Sequence, residues 1–335
     1  MTPRRRIIPV FIPHMGCPND CVFCNQRTIS GSLRPVKPED VHRVLEEARS
    51  ACADAELAFY GGSFTAVPEE EQRALLAAAQ PFRESGFLTS IRVSTRPDAV
   101  TTEKLRLLKD FGTDTVELGA QSMDDGVLRL CGRGHTASDT VRAAALVRDA
   151  GMQLVLQMMT GLPGADQKSD LRTGELLAGL GPDGVRIYPT VILRGTALER
   201  LWREGKYKAH TVRAAVSVCA PIAALFQEAG IPILRLGLNP TEGLSGGEAI
   251  GGAYHPALGE LVYGKLYLER ARTAIRALPR IPRRLTLLVA ENRVSRMTGL
   301  GGANLLTLRW EFGLEEVRVR GCAFPAETVA IDSKL

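Results

Sequence analysis

Short apolar runs alternate with amphipathic stretches from residue 7 to about residue 230. Six of these runs are flanked by turn residues and predict β-strands at 7–12, 57–60, 91–94, 115–118, 154–158 and 185–188. Residues at helical spacing lie between them and predict helices at 38–53, 68–85, 101–111 and 137–150. This alternation indicates successive βα units and a parallel sheet with helices outside. A doubly wound sheet and a partial barrel both satisfy the pattern.

After Gly230 the alternation gives way to a glycine-rich stretch at 237–252 and a helical segment at 261–277. The chain has 335 residues, which is more than one hydrophobic core usually serves. We therefore predict two domains, a catalytic domain over 1–235 and a smaller extension over 236–335.

Composition and charge narrow the class of protein. The net charge of +5 permits an anionic partner without requiring one. We expect neither a membrane span nor an export signal, because no run of about 18 apolar residues occurs. Three of the seven cysteines fall within eight residues, which indicates metal ligation in a reducing compartment rather than disulfide bonds. A cytoplasmic protein is the expectation.

Cys17, Cys21 and Cys24 lie on the loop after the first predicted strand, with the spacing C-x3-C-x2-C. A 4Fe–4S cubane held by three thiolates leaves one iron open, and this position suits a chelating amino and carboxylate group. A zinc knuckle needs a fourth ligand, and the only nearby candidate is His14, whose approach Pro13 restricts. The motif therefore favours the cluster over zinc.

This spacing, with Phe23 just before the last cysteine, resembles the signature of the radical S-adenosylmethionine superfamily. Further segments are similar to the catalytic subunit of Elongator and its bacterial relatives: YGGSFT at 60–65, STRPD at 94–98, VELGAQS at 116–122, RGH at 133–135, GLPG at 161–164 and RIYPT at 186–190.

The resemblance implies a partial (β/α)6 TIM-like barrel over 1–235 with a small α+β C-terminal extension. It implies two cofactors, a 4Fe–4S cluster on the three cysteines and S-adenosylmethionine, which is cleaved reductively to a 5′-deoxyadenosyl radical. An electron donor such as a flavodoxin or ferredoxin would reduce the cluster.

The resemblance also places the S-adenosylmethionine contacts after the strands. Gly61 and Gly62 would let the backbone approach the methionine amino group, with Ser63 as the adjoining polar contact. The remaining implied contacts are Ser94 and Arg96 toward the ribose and carboxylate, Gln121 and Gln157 from the next two strands, and the segment from Gly161 to Gly164 along the adenine.

Two further residues are candidates for catalysis. Glu117 lies in an otherwise apolar run, where a carboxylate is costly to bury unless it is paired, and we expect it to face the barrel interior. Tyr188 ends a predicted strand and is either a radical relay or a packed residue with a satisfied hydroxyl.

Simpler interpretations stand beside these. The glycine pair is also a common strand-to-helix turn. Arg96 could be solvated at a helix start that Asp98 caps. The remaining cysteines have no matching spacing and are expected to be small core residues: Cys52, Cys131, Cys219 and Cys322.

The extension differs from the Elongator subunit, which spaces its first two cysteines more widely and carries an acetyltransferase domain. Fewer than 100 residues follow residue 240, and no acetyl-coenzyme A phosphate-binding segment is evident in them. Acetyl transfer is therefore not carried over to this chain.

The segment at about 284–320 predicts the order β-α-GxxG-α-β and resembles a KH module, whose GxxG turn lets a nucleic-acid backbone approach closely. Leu300 and Gly301 fill the turn, whereas KH modules usually carry a basic residue there. A helix-turn-helix corner is the simpler interpretation. The predicted positive charge comes from Arg280, Arg283, Arg284, Arg293, Arg296 and Arg309.

These features favour a radical enzyme that acts on RNA, with tRNA as the expected substrate. Two other functions stay open at this point. One is a radical enzyme for a small molecule such as a tetrapyrrole, and the other is a non-catalytic cluster protein that binds RNA or another partner.

Overall fold

The computed structural model describes residues 6–12, 15, 17–25, 34–240 and 243–332. Pro13 and His14, the residues weighed for zinc, lie outside the described residues. Among the helices of these ranges, none is both long and apolar enough to cross a membrane.

A seven-stranded parallel sheet forms the larger part of the molecule, in the order β1-β2-β3-β4-β5-β6-β8. Its strands are β1 (Arg6–Ile12), β2 (Ala55–Gly61), β3 (Leu88–Thr95), β4 (Thr115–Gln121), β5 (Gln153–Thr160), β6 (Gly184–Pro189) and β8 (Ile233–Leu236). A short antiparallel pair, β7 (Val191–Leu193) and β9 (Ala249–Gly252), lies beside it. The sheet curls into a half-barrel, which confirms the predicted partial TIM-like barrel.

Helices follow the strands in the expected alternation. They are α1 (Pro38–Arg49), α2 (Glu69–Ala77), α3 (Gln80–Glu84), α4 (Thr102–Asp110), α5 (Asp125–Leu130), α6 (Ala137–Asp149), α7 (Gln167–Gly179), α8 (Ala197–Arg203), α9 (Val212–Glu228) and α10 (Leu258–Arg276). The single helix predicted at 68–85 is wrong, because the chain breaks between α2 and α3. Pro81 is the second residue of α3 and lacks the backbone N–H that a continuous helix would use there.

The barrel core lies between the sheet and this helical layer, where Phe59, Phe64, Leu118 and Ile187 are among its fully buried side chains. Of the cysteines outside the motif, Cys131 and Cys219 are buried as expected, whereas Cys52 and Cys322 are only half-buried. Burial raises the pKa of the Cys131 thiol to about 12, which agrees with a role in packing.

The C-terminal part forms a second unit with a core of its own. Its three-stranded sheet has the order β11-β10-β12, from β10 (Arg284–Ala290), β11 (Glu316–Cys322) and β12 (Val329–Ile331). Two helices, α11 (Val294–Thr298) and α12 (Ala303–Phe312), flank the turn from Gly299 to Gly302, so the predicted β-α-GxxG-α-β order is present. The likeness to a KH module and the division at residue 235 stay predictions.

Candidate active site

A cavity of about 380 Å³ opens where the sheet strands end at their carboxyl termini. Ten of the fourteen predicted site residues line it: Cys17, Cys24, Gly61, Gly62, Ser94, Arg96, Glu117, Gln121, Gln157 and Tyr188. Parallel strands bring their carboxyl ends to one edge, so residues far apart in sequence meet there. Cys21, Ser63, Gly161 and Gly164 do not line the cavity.

The cysteine loop is held to the barrel by backbone hydrogen bonds. Val22 donates its N–H to Cys131 O at 3.1 Å, and Leu198 donates to Val22 O at 2.7 Å. Within the described ranges no three His, Cys, Asp or Glu side chains converge on a position for a single metal ion. A cubane places one thiolate on each of three irons, so it does not require such convergence.

The glycine pair touches the chain that leads into the cysteine loop. A Cβ on Gly62 would lie 2.3 Å from Met15 O and 2.4 Å from Ile12 O, so only glycine fits there. Gly61 has φ +100°, a conformation that favours glycine. The pair is therefore more than a common turn, because it sets how closely β2 approaches the cysteine loop.

Ser63 is fully buried behind the cavity wall. Its Oγ lies 2.9 Å from Thr95 Oγ1 and accepts a hydrogen bond from the Arg96 N–H at 3.1 Å. The side chain thus fixes the end of β3, and its predicted contact with a cofactor stays a prediction.

Arg96 is buried, so the interpretation of a solvated side chain is wrong. Its Nε and Nη2 each donate to the Asp98 carboxylate at 3.0 Å, and Nη2 also donates to Arg133 O at 2.6 Å. Asp98 does not cap α4, because Thr101 accepts the bond from the Lys104 N–H. The guanidinium is consequently held in a fixed position at the cavity wall.

Three polar side chains on neighbouring strands line the same wall. Gln157 Nε2 donates to Gln121 Oε1 at 3.2 Å. Gln121 has φ +65°, the one positive φ of a non-glycine residue among the described residues, and such strain is concentrated at functional sites. The Ser94 Oγ is buried and has no hydrogen-bond partner within the described part of the chain, which is unusual for a buried hydroxyl.

Glu117 faces the barrel interior and is paired, as its position in an apolar run predicted. Its Oε2 accepts from Arg186 Nε at 2.9 Å and lies 3.8 Å from Arg92 Nη1. Arg92 Nε in turn donates to Glu56 Oε1 at 2.6 Å. Two carboxylates and two guanidinium groups balance one another, which offsets the cost of burying them.

Two tyrosine hydroxyls complete this interior network. Arg186 Nη2 donates to Tyr60 OH at 2.9 Å, and Nη1 donates to Tyr188 OH at 3.4 Å. Burial raises the pKa of Tyr60 to about 12 and also raises the pKa of Tyr188. Both phenols are therefore neutral at physiological pH, and Tyr188 reaches the cavity with a satisfied hydroxyl.

The turn from Gly161 to Gly164 is held from behind by residues that the sequence did not indicate. Asp170 Oδ2 accepts from the Gly161 N–H at 2.9 Å, and Tyr207 OH donates to Gly161 O at 2.6 Å. Burial raises the pKa of the Asp170 carboxyl to about 7. Neither residue has a periodicity or spacing that would have singled it out.

Arg133, which the sequence analysis noted only within the RGH segment at 133–135, contacts the cysteine loop. Its Nη1 donates to Cys21 Sγ at 3.5 Å, Nη2 donates to Gly119 O at 2.7 Å, and the side chain lines the cavity. The signal was present in the RGH segment, but the sequence alone did not connect Arg133 to Cys21.

Known proteins with similar sequences show which family the chain belongs to. The family model described as "Radical SAM superfamily" matches residues 11–176, and one described as "Radical_SAM C-terminal domain" matches 182–268. A "tRNA uridine(34) acetyltransferase" of Dehalococcoides mccartyi is 26% identical, over 65% of this chain and 56% of that protein. "Elongator complex protein 3" of Saccharomyces cerevisiae is 36% identical, over 40% of this chain and 25% of that protein. The chain thus spans about half, or less, of these relatives.

A solved structure with the same fold is the archaeal Methanocaldococcus infernus Elp3 with an N-terminus deletion. It has a TM-score of 0.62 and 23% identity, and the match covers 80% of this chain and 63% of that one. Coproporphyrinogen III oxidase (HemN) from Escherichia coli gives a TM-score of 0.52 and 19% identity, over 68% of this chain and 54% of that one.

A parallel half-barrel with three motif cysteines and a glycine pair at its carboxyl edge defines a radical enzyme that uses S-adenosylmethionine. The chain belongs to the radical S-adenosylmethionine superfamily. The cofactors of this class are a 4Fe–4S cluster and S-adenosylmethionine.

The residues present fit these two cofactors. The three thiols of the motif would supply the donor set of a cubane with one open iron. The cavity volume is in the range of small-molecule sites. Ser94 lines the cavity, and its buried hydroxyl has no hydrogen-bond partner among the described residues.

Proposed function

We propose that this enzyme modifies RNA, with tRNA as its substrate, and that Cys17, Cys21 and Cys24 hold its cluster. The observation that carries the proposal is the single cavity that gathers cysteines, glycine pair and polar strand ends. The Dehalococcoides relative carries tRNA in its name, which supports the substrate class. Acetyl transfer is not part of the proposal.

The cofactors supply one-electron radical chemistry when they are bound, and the chain's own residues bind, orient and shield them. Gly61 and Gly62 keep the backbone close to the cysteine loop, and the buried Ser94 hydroxyl has no partner among the described residues. Arg133 donates to Cys21 Sγ at 3.5 Å and to Gly119 O at 2.7 Å, and so ties the cysteine loop to β4. A flavodoxin or ferredoxin is the proposed electron donor.

The interior network has a separate role in the proposal. Glu117 holds the Arg186 guanidinium, which in turn orients the hydroxyls of Tyr60 and Tyr188. A neutral tyrosine at the cavity wall can donate a hydrogen bond to a substrate oxygen. We assign Tyr188 to substrate contact and Glu117 to positioning.

The test is anaerobic reconstitution with iron and sulfide, followed by S-adenosylmethionine and dithionite. We expect 5′-deoxyadenosine in the wild type and its loss in Cys17→Ala, Cys21→Ala and Cys24→Ala, each compared with Cys52→Ala as the matched control. Bulk tRNA is expected to raise the yield. Nucleoside analysis of tRNA from a deletion strain should show one modified nucleoside missing.

Each failure has its own meaning. If tRNA does not change the rate of S-adenosylmethionine cleavage and no nucleoside is missing, the RNA proposal is contradicted and a small-molecule substrate is favoured. If the cluster is intact and reducible but S-adenosylmethionine is not cleaved, only the interpretation as a binding protein would be left.

A further inference from the structure

The turn and helix that begin at Gly299 expose an unusual amount of apolar surface. Trp310 is 88% exposed, Leu300 69% and Leu306 61%, and these are the three largest values for big apolar side chains among the described residues. Leu306 and Trp310 are four residues apart on α12 and share one face. Exposed apolar patches of this kind mark interaction sites. Both family models end before this segment, the second of them at residue 268.

A groove of about 550 Å³ lies between α9, α10 and the glycine turn, and Leu300 is one of its lining residues. Leu300 and Ala303 line one side of the groove, and Arg213 and Lys265 line the other. Asn304 Nδ2 donates to Gly264 O at 2.8 Å and so fixes the start of α12 against α10. The groove therefore lies at the turn from which α12 begins.

The groove lies toward the edge at which the cavity opens. His210, just before α9, is next to Gly161 at the end of β5, and Leu258, the first residue of α10, contacts Gly237 after β8. Both helices therefore begin at the carboxyl edge of the sheet. Arg213 lies in the first turn of α9, close to that edge.

Charge favours a polyanion as the occupant. Residues 258–335 contain 13 Lys and Arg against 8 Asp and Glu, so this part holds the whole net charge of +5. Of the six predicted arginines, Arg283, Arg284 and Arg296 are ion-paired with glutamates. Arg309 and Arg213 are exposed and form no ion pair with any residue in the described ranges. The nearest acid on α12, Glu311, pairs with arginines of α10.

We propose that the surface formed by Leu300, Leu306, Arg309 and Trp310 docks a single-stranded segment of the RNA substrate. This inference rests on the proposed function and names the surface that serves it. Trp310 provides a ring on which a base stacks, and Arg309 neutralises a phosphate. A Cβ added at Gly301 or Gly302 would meet nothing within 4 Å, so a nucleic-acid backbone can approach the turn.

The two tryptophans of the chain make the test direct. In Trp202→Phe the only indole is Trp310, and in Trp310→Phe it is Trp202. The ligand is an unlabelled single-stranded RNA of about 12 nucleotides, which is long enough for a stacking site. We expect it to quench the tryptophan fluorescence of the first variant and to leave the fluorescence of the second unchanged. The full reconstituted enzyme is used throughout.

Affinity for the same RNA, labelled with fluorescein, and for bulk tRNA gives the second measurement. Trp310→Ala should weaken binding about tenfold, a typical loss for one stacked base. Arg309→Ala should reduce the magnitude of the slope of log affinity against log salt by about 0.7. Arg106 is an exposed arginine on α4, and Arg106→Ala should leave this slope unchanged. Formation of 5′-deoxyadenosine without RNA should be the same in all these variants.

The outcomes separate this inference from the proposed function. If the wild type binds tRNA and Trp310→Ala binds it equally well, the docking surface is overturned while the proposed function stands. A wild type that binds no RNA and loses no tRNA nucleoside on deletion overturns both. Concentration-dependent self-association that Trp310→Ala abolishes, without RNA binding, would assign the surface to a protein contact instead.

Discussion

At the scale of single residues, Gly62 is the position where the structure leaves least room. Gly62→Ala places a methyl group against two backbone carbonyl oxygens, neither of which is the end of a flexible side chain. We expect a loss of stability of about 1–3 kcal/mol, typical of overpacking, and displacement of the cysteine loop. Urea unfolding measures the first effect, and iron content after reconstitution measures the second.

Gly179 is the matched control for this substitution. It is the last residue of α7, and a Cβ there meets nothing within 4 Å. Gly179→Ala should therefore be neutral or stabilise by up to about 1 kcal/mol, because alanine favours the helix. Equal effects of the two substitutions would show that the contact with Met15 and Ile12 does not matter.

At the scale of elements, the turn between β5 and α7 is expected to respond to pH through Asp170. The pKa of its carboxyl is raised to about 7 in the folded protein, so the folded state binds a proton more tightly than the unfolded state. The contribution of Asp170 to the free energy of unfolding is greatest below pH 4 and is lost as the pH rises from about 4 to about 7. Asp170→Asn keeps an oxygen for the Gly161 N–H but removes the titration.

The difference in unfolding free energy between Asp170→Asn and the wild type isolates the effect of the Asp170 carboxyl from that of the other titrating groups. We expect the variant to gain stability relative to the wild type by a few kcal/mol between pH 5 and pH 8, measured by urea unfolding at both values. A constant difference at the two pH values would contradict a raised pKa for Asp170.

Most elements of the barrel could be predicted from the sequence because their strands are strongly apolar. β8 was missed, since it has only four residues, one of them Arg235, and Leu236 alone among them is buried. The helix predicted at 68–85 failed at Pro81, where local backbone chemistry overrides apolar spacing.

The candidate site shows the same limit in another form. The cysteines, glycines and strand-end polar residues were predicted because motif spacing and strand ends mark them. Asp170, Tyr207 and Arg133 act through contacts over long sequence distances, which only the folded chain reveals.

At the scale of the whole molecule, α10 joins two hydrophobic cores. Leu258 and Val262 belong to the barrel core, while Tyr267 and Ile275 belong to the core of the C-terminal unit. Because one continuous helix supplies both, damage to either core should weaken the other. The docking surface would then be held rigidly with respect to the cavity, which a substrate bound at both places requires.

Leu287→Ala tests this coupling, because Leu287 is fully buried in β10 within the C-terminal core. The space left by the missing side chain should lower the free energy of unfolding by about 2–5 kcal/mol. We expect hydrogen exchange, followed by mass spectrometry, to show faster opening in peptides from both β10 and β5. Leu156→Ala, equally buried in β5, is the reciprocal control and should also speed exchange in β10. Faster exchange confined to the mutated unit would mean that the two cores unfold independently, and α10 would then be a hinge rather than a rigid link.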